Sequence, residues 1–195
     1  MKSYSSKFFD EISDGLKRII VTRGNGKELS LDDALEEAMV RVKKVQDQNG
    51  LMFFCGNGAS CSMAEHMSHD WFQNAKVNTT SCSATSYITA ISNDTSFADV
   101  FSYRVERILS EKDVLVTISS SGNSPNIVKA IKAAKDKGAY IITLSGMRDD
   151  NKSRTGGDLN FYVPLKTYGL VESVHAILLH LGLDLFLDKY MGGRH

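Results

Sequence analysis

The chain has 195 residues and a mass of 21.5 kDa, and 42% of its residues are hydrophobic, so it can form one well-buried core but is short for two. Its 23 basic and 23 acidic residues balance to a formal net charge of zero without a basic run, which argues against a nucleic-acid surface. We find no apolar run near the roughly 20 residues of a membrane span and no signal-peptide core, so we expect a cytoplasmic protein that does not contact membranes.

Two helices are predicted in the first 49 residues. Residues 5–22 carry apolar side chains at helical spacing, and Gly24-Asn25-Gly26 ends that pattern. Ser30 and Asp33 then resemble a capping box, which predicts that a second amphipathic helix begins there and runs to Asn49-Gly50.

From residue 51 onward, short apolar runs alternate with helical stretches. The runs are residues 51–55, 77–82, 114–118, 140–144 and 159–163. This alternation predicts a parallel sheet that helices cover on both faces. A last helix is expected at about residues 169–187. The three cysteines, Cys55, Cys61 and Cys82, are odd in number and lack zinc-binding spacing, which indicates reduced thiols.

A serine-rich loop, residues 117–125, lies between the run at 114–118 and a helix opened by Pro125. The free N–H groups and the positive dipole end of a helix start attract an anion, which serine hydroxyls can also bind. The hydroxyls in question are those of Ser119, Ser120, Ser121 and Ser124. Because the loop has no Arg or Lys, neutral donors would have to hold a phosphate. Ordinary turn and capping chemistry is the alternative interpretation.

A second strand-loop-helix unit supports the ligand interpretation. The run at 51–55 is followed by Gly56-Asn57-Gly58-Ala59-Ser60 and then by a helical stretch. Two such units in one small domain indicate a shared ligand crevice. Asn93-Asp94 is a further candidate for a functional pair. The alternative is that the two residues form a turn and N-cap before a helix at 97–109.

Ionisable side chains occur at helical spacing on two of the predicted helices. His66 and Asp70 are four residues apart and project from one helix face, as one wall of a metal or proton-transfer site requires. Glu172 and His180 are just over two turns apart on the last helix. Two further histidines, His69 and His175, lie beside these groups. Solvated or internally hydrogen-bonded side chains are the alternative for each of them.

Taken in order, four motifs resemble the sugar isomerase (SIS) domain family, and within it the phosphoheptose isomerases. They are Gly56-Asn57-Gly58-Ala59-Ser60, Ser92-Asn93-Asp94, Ile118-Ser119-Ser120-Ser121-Gly122-Asn123-Ser124 and Ile142-Thr143-Leu144-Ser145-Gly146. The resemblance covers nearly the whole chain and implies a single SIS domain over residues 1–195, with a five-stranded parallel sheet of flavodoxin-like type. It also implies a homotetramer with sites at subunit interfaces, in which residues 1–49 are helices that pack between subunits and residues 50–195 form the α/β core.

The resemblance also assigns the substrate contacts. They are Asn57, Gly58, Ala59, Ser60, Asn93, Asp94, Ser119, Ser120, Ser121, Ser124 and Glu172, with the phosphate on the four serines. A divalent metal, with zinc the expected ion, would be held by His66, Asp70, Glu172 and His180. The chain departs from the family where Asp70 replaces a glutamate base, Glu172 replaces a glutamine and Gly169 replaces a polar residue.

The reaction implied is an aldose-ketose isomerisation that converts sedoheptulose 7-phosphate to D-glycero-D-manno-heptose 7-phosphate on the way to surface heptoses of lipopolysaccharide or capsule. An enediol route requires one base near the carbon and one acid near the oxygens, and Asp70 and His180 are the catalytic candidates. Because a ligating carboxylate is a poorer base, Asp70 cannot serve a metal and the proton transfer fully at once.

A non-catalytic SIS module, either a sugar-phosphate sensor or a protein-binding scaffold, is the competing hypothesis. Such relatives share the serine loops but usually lack ionisable side chains at both positions that correspond to Asp70 and His180. Both positions are ionisable in this chain, which favours an enzyme.

Overall fold

Strands and helices alternate along residues 2–193, the part of the chain that the computed structural model describes. The strands are β1 (Ile20–Arg23), β2 (Glu28–Leu29), β3 (Met52–Gly56), β4 (Thr79–Ser81), β5 (Val114–Ser119), β6 (Tyr140–Gly146) and β7 (Leu159–Val163). The helices are α1 (Tyr4–Lys17), α2 (Leu31–Asp47), α3 (Ala59–Gln73), α4 (Thr85–Asp94), α5 (Ser102–Ile108), α6 (Pro125–Asp136) and α7 (Tyr168–Tyr190). Short 3-10 turns occur at Phe97–Asp99 and Lys152–Thr155.

The strands form one sheet in the order β2-β1-β7-β6-β5-β3-β4. Every neighbouring pair from β3 to β7 is parallel. Numbered among themselves, these five strands have the order 2-1-3-4-5, which is the flavodoxin-like order. The predicted parallel sheet is therefore confirmed, although it forms part of a seven-stranded sheet.

The two additional strands come from the N-terminal segment, where the prediction was wrong. Helix α1 ends at Lys17, and Ile20–Arg23 instead pairs antiparallel with β7 and, through the turn at residues 24–26, with β2. The run from Ile19 to Thr22 fits helical spacing, but its β-branched side chains favour a strand once the edge of β7 offers hydrogen bonds. The predicted second helix is present as α2, with the Ser30 hydroxyl accepting the Asp33 N–H at 3.1 Å.

Helices cover both faces of the sheet. On one face, α2, α3 and α7 pack over Phe54, Val116 and Leu144. On the other, α5 and α6 pack over Phe53 and Leu115. Because consecutive strand residues are buried on opposite faces, the sheet is interior on both sides, as its apolar runs predicted.

Helix α7 is long and apolar enough to span a membrane by length and composition, with a mean hydropathy of 1.6 in its most apolar window. The expectation that no apolar stretch approaches this length was therefore wrong. More than half of that window is buried inside the protein, where α7 packs against α1, α2 and α3. The core helix of a folded domain meets the same criteria of length and composition, and this is the role of α7 in the structure.

A glycine inside α7 provides a test of this packing. A Cβ added to Gly182 would have Met39 Cε, at 3.6 Å, as its close neighbour, so Gly182→Ala fills apolar space without a clash. We expect the variant to raise the free energy of unfolding by about 1 kcal/mol, since alanine also favours the helix. Gly15→Ala in α1 gains the same helix preference, but its Cβ would lie 2.5 Å from Leu165 Cδ1. In urea denaturation, the midpoint concentration should rise for Gly182→Ala and fall for Gly15→Ala. Equal shifts of the two midpoints would contradict this account.

Candidate active site

A cleft opens at the carboxyl edge of β3 and β5, two strands whose following loops lead to opposite faces of the sheet. Its lining residues are Asn57, Ser60, Ile118, Ser119, Ser120, Ser121, Ser124, Tyr168 and Glu172. The enclosed space is about 410 Å³, mouth included, which suits a small molecule. In parallel sheets, ligands bind where the strand order reverses, and here that point lies between β3 and β5. The structure thus brings the two predicted loops to one cleft.

Three helices begin at this cleft. Helices α3 and α6 have N-cap residues Gly58 and Ser124, neither of which caps its own helix with a side chain. Helix α7 contributes Tyr168 and Glu172 from its first two turns. Backbone N–H groups and three positive dipole ends therefore converge on this cleft and offer neutral donors to an anion. Among residues 2–193, no Lys or Arg lines the cleft.

Two buried hydroxyls of residues 117–125, those of Thr117 and Ser120, have no hydrogen-bond partner within residues 2–193, and Ser120 is the one that lines the cleft. Ser120 is 5% exposed. Ser119 Oγ accepts the Gly122 N–H at 3.2 Å and Ser121 Oγ accepts the Asn123 N–H at 3.4 Å, so these two hydroxyls shape the loop itself. A buried polar group without a partner is costly, and a phosphate oxygen in the cleft would satisfy Ser120.

A segment before β7 braces the loop, and the sequence reasoning missed it. Gly122 has a φ of 63°, and a Cβ there would overlap the side chain of Asn151. Both the N–H and the hydroxyl of Ser153 donate to the Gly122 carbonyl, each at 2.9 Å. Asn123 Oδ1 accepts the Lys152 N–H at 3.0 Å. The loop is therefore held rigidly, with its open side toward the cleft.

The loop after β3 is joined to the start of α6 by a side-chain pair. Asn57 Nδ2 donates to Asn126 Oδ1 at 3.0 Å, and Asn126 Nδ2 donates to Asn57 Oδ1 at 2.9 Å. Asn126 was not among the predicted site residues. Of the other residues predicted from this loop, Ser60 lines the cleft, while Gly58 and Ala59 are exposed at the start of α3.

Asn93 and Asp94 do not line this cleft. They are exposed as the last two residues of α4 and bond to each other, with Asn93 Nδ2 donating to Asp94 Oδ1 at 3.1 Å. The alternative explanation, a turn and N-cap before a helix at 97–109, was wrong, because the pair ends α4 instead of starting the next helix.

Three of the predicted ionisable residues meet between α3 and α7. One ligand atom from each of His66, Asp70 and His180 lies within 4.8 Å of the others. His66 Nε2 is 3.1 Å from Asp70 Oδ2, and the two imidazole rings are edge to face at 5.4 Å. Glu172, the fourth residue of the predicted metal set, lies in the serine cleft instead. His69 is exposed on α3 outside this group.

The remaining histidine of α7 belongs to the core. His175 is fully buried and its Nε2 donates to the Ser145 carbonyl at 3.2 Å, while Nδ1 has no partner within residues 2–193. Burial lowers the pKa of His175 to about 4, so the imidazole is neutral. Burial raises the pKa of the three cysteine thiols, which are free, as predicted.

A second open cleft, of about 810 Å³, lies at the opposite edge of the sheet. Three of its polar groups bond to one another: Arg23 bonds Glu37 at 2.6 Å, and the Tyr140 hydroxyl donates to Glu37 at 3.0 Å. Asp158 accepts the Ile141 N–H at 2.8 Å. Since these groups already have partners, the serine cleft is the better ligand site.

The serine hydroxyls can be tested directly. Ser120→Ala together with Ser124→Ala should weaken sugar-phosphate binding by on the order of 3 to 6 kcal/mol, because two hydrogen bonds to a charged group are lost. Thermal stability should not fall, since the unpartnered Ser120 hydroxyl is removed. Calorimetric titration measures the loss, with Ser13→Ala on the exposed face of α1 as the control. If the double variant bound sugar phosphate as tightly as the wild-type protein, the phosphate interpretation would fail and the serines would be turn and capping residues only.

Comparisons with known proteins identify the family of this chain. Residues 7–146 match the family model described as SIS domain. Phosphoheptose isomerase of Helicobacter pylori (strain P12) is 33% identical over 161 residues, which are 80% of this chain and 83% of the relative. That of Proteus mirabilis (strain HI4320) is 33% identical over 187 residues, 93% of each chain. The solved structure of phosphoheptose isomerase GmhA from Neisseria gonorrhoeae is 27% identical with a TM-score of 0.79, covering 94% of this chain and 95% of that one. The chain therefore belongs to the SIS domain family.

Proposed function

We propose that this protein is a phosphoheptose isomerase that converts sedoheptulose 7-phosphate to D-glycero-D-manno-heptose 7-phosphate. The observation that carries the proposal is that α3 and α7 both begin at the serine cleft and both carry the acid-base group formed by His66, Asp70 and His180. The relatives named phosphoheptose isomerase, which align over most of the chain, support the same substrate.

The spacing along these helices suits a long phosphorylated sugar. His66 lies six residues after Ser60, and His180 lies eight residues after Glu172. At 1.5 Å per helical residue, the group is roughly 9 to 12 Å from the cleft along the helix axes. With carbon–carbon bonds of about 1.5 Å, an extended seven-carbon chain with its phosphate spans on the order of 10 Å. A phosphate on the serines would therefore place the carbonyl end near Asp70.

The chemistry is a proton transfer between neighbouring carbons. We propose that Asp70 removes a proton from C1, the C–H electron pair forms the C1–C2 double bond, and the C2 carbonyl oxygen takes up a proton to give the enediol. Return of the proton to C2, with loss of the O1 proton, gives the aldose. His180 is placed to move the proton between the two oxygens. His66, at 3.1 Å from Asp70, holds that carboxylate in position.

We also propose that this group can bind a divalent metal, as an alternative to the metal-free reaction, because a carboxylate that ligates a metal is a poorer base. Two imidazoles and one carboxylate are the donors that Zn²⁺ takes in catalytic sites, which leave a further position open. Bound zinc would polarise the sugar carbonyl and stabilise the negative charge of the enediolate. Glu172 is left out of this set because it faces the cleft, where its carboxylate can accept hydrogen bonds from sugar hydroxyls.

Isomerase activity is tested by deuterium incorporation at the sugar carbon next to the carbonyl. Asp70→Asn and His180→Gln should each lower turnover by roughly 100-fold, with smaller effects on sugar-phosphate affinity. His69→Gln, on the same helix but outside the group, is the matched control. Asp70→Glu should retain activity or improve it if Asp70 is a shortened form of a glutamate base.

Wild-type protein that binds sugar phosphates but exchanges no proton, with or without added zinc, would contradict the proposal. Such a result would restore the sensor or scaffold hypothesis. That hypothesis is not favoured, because a binding module needs no acid-base group beside its ligand and the aligned relatives are named as isomerases.

We further propose a cytoplasmic homotetramer that supplies heptoses for lipopolysaccharide or capsule. Exposed aromatic side chains on α1 support an interface there: Tyr4 is 86% and Phe9 is 67% exposed. Sites shared between subunits would also explain why Asn93 and Asp94 lie outside the cleft of their own chain.

Assembly is measured by light scattering at micromolar concentration. The mass should be near four times 21.5 kDa. Phe9→Lys should lower it, because a charge replaces apolar surface in the proposed interface, whereas Glu11→Lys on the same helix serves as the control. A wild-type monomer that retains activity would exclude this arrangement.

A further inference from the structure

The Asn57–Asn126 pair joins two parts of the protein that belong to different cores. Asn57 lies in the loop between β3 and α3, and α3 packs on one face of the sheet. Asn126 is the second residue of α6, which packs on the other face. The starts of α3 and α6 are therefore positioned by separate hydrophobic clusters, and the amide pair connects them across the edge of the sheet.

The geometry of the pair is reciprocal. Each amide donates one hydrogen bond and accepts one, at 3.0 and 2.9 Å, and Asn126 Oδ1 also accepts the Ile127 N–H at 3.0 Å. Asn126 is 1% exposed, so its amide is shielded from water, whereas Asn57 is half-buried at the cleft. In such surroundings a closed pair of hydrogen bonds is strong, and losing one member leaves the other unsatisfied.

We infer that this pair is a positioning device for the active site, with Asn126 as a positioning residue that acts through Asn57. By fixing the two helix starts relative to each other, it sets the distance from the hydroxyls of the serine loop to Ser60 at the start of α3. The family resemblance implied that Asn57 contacts a sugar hydroxyl. In this inference, its main role is instead to hold Asn126. The inference rests on the proposed isomerase function of the same cleft.

A double-mutant cycle tests it. Asn57→Ala, Asn126→Ala and the double variant are compared by calorimetric binding of inorganic phosphate and by turnover of sedoheptulose 7-phosphate. Each single change should weaken phosphate binding and lower turnover by about tenfold, and the double variant should lose no more than either single one. If Asn57 contacts the sugar independently of Asn126, the losses in turnover multiply to about a hundredfold in the double variant, which would overturn the inference.

Asn126→Asp guards against a variant that does not fold. It keeps the side-chain volume and the bond to the Ile127 N–H, but it cannot donate to Asn57 Oδ1. The Asn126→Asp change is made both in the wild-type protein and in the Asn57→Ala variant. It should lower phosphate affinity more in the wild-type protein, because the Asn57→Ala variant has already lost the hydrogen bond between the two side chains. An equal loss of phosphate affinity in both proteins would contradict the inference that the Asn57–Asn126 pair positions the site.

The chain offers a matched control for amide pairing. Asn78 Nδ2 donates to Asn49 Oδ1 at 2.7 Å in an exposed pair at the opposite edge of the sheet. Asn78→Ala should leave phosphate affinity and turnover unchanged. Wild-type protein that binds phosphate without exchanging deuterium would refute the isomerase function alone, because the cycle in phosphate affinity still measures the coupling of Asn57 to Asn126.

Discussion

The common direction of the strands from β3 to β7 is the constraint on which the site depends. Parallel strands end at one edge of the sheet, so the loops that follow β3, β5 and β7 all lead into helices whose N-termini face the same cleft. Those N-termini supply donors and positive potential without a cationic side chain. The Ser120 hydroxyl, which has no partner among the described residues 2–193, fits this arrangement, because a group kept ready for a ligand is left unpaired within the protein.

The proposed chemistry lies away from that edge. Helices α3 and α7 pack side by side and run from the cleft along one face of the sheet, so each of them presents binding groups first and ionisable groups about two turns later. In the proposed reaction, this division would separate the phosphate, which anchors the substrate, from the carbons that react. Glu172 on α7 lines the serine cleft and contributes a carboxylate where the serines contribute donors.

Much of this arrangement could be predicted from local patterns. The apolar runs located five strands, the serines marked the loop after β5, and the i, i+4 spacing placed His66 and Asp70 on one face. Local spacing failed at Ile20–Arg23, where β-branched residues with helical spacing joined a sheet edge that forms only in the folded chain. It also missed Asn126 and Ser153, whose partners lie 69 and 31 residues away. Such pairs depend on tertiary structure, which periodicity does not reveal.

The neutral, buried His175 makes the fold sensitive to acid. In the unfolded chain this imidazole titrates near 6.5, whereas burial holds its folded pKa at about 4, so between these values the unfolded chain binds more protons. The contribution of the neutral His175 to the free energy of unfolding is fully present above pH 6.5. As the pH falls toward 4, on the order of 3 kcal/mol of it is lost. Since His175 on α7 donates to the carbonyl of Ser145 near the end of β6, acid weakens the protein at the contact between its last helix and the sheet.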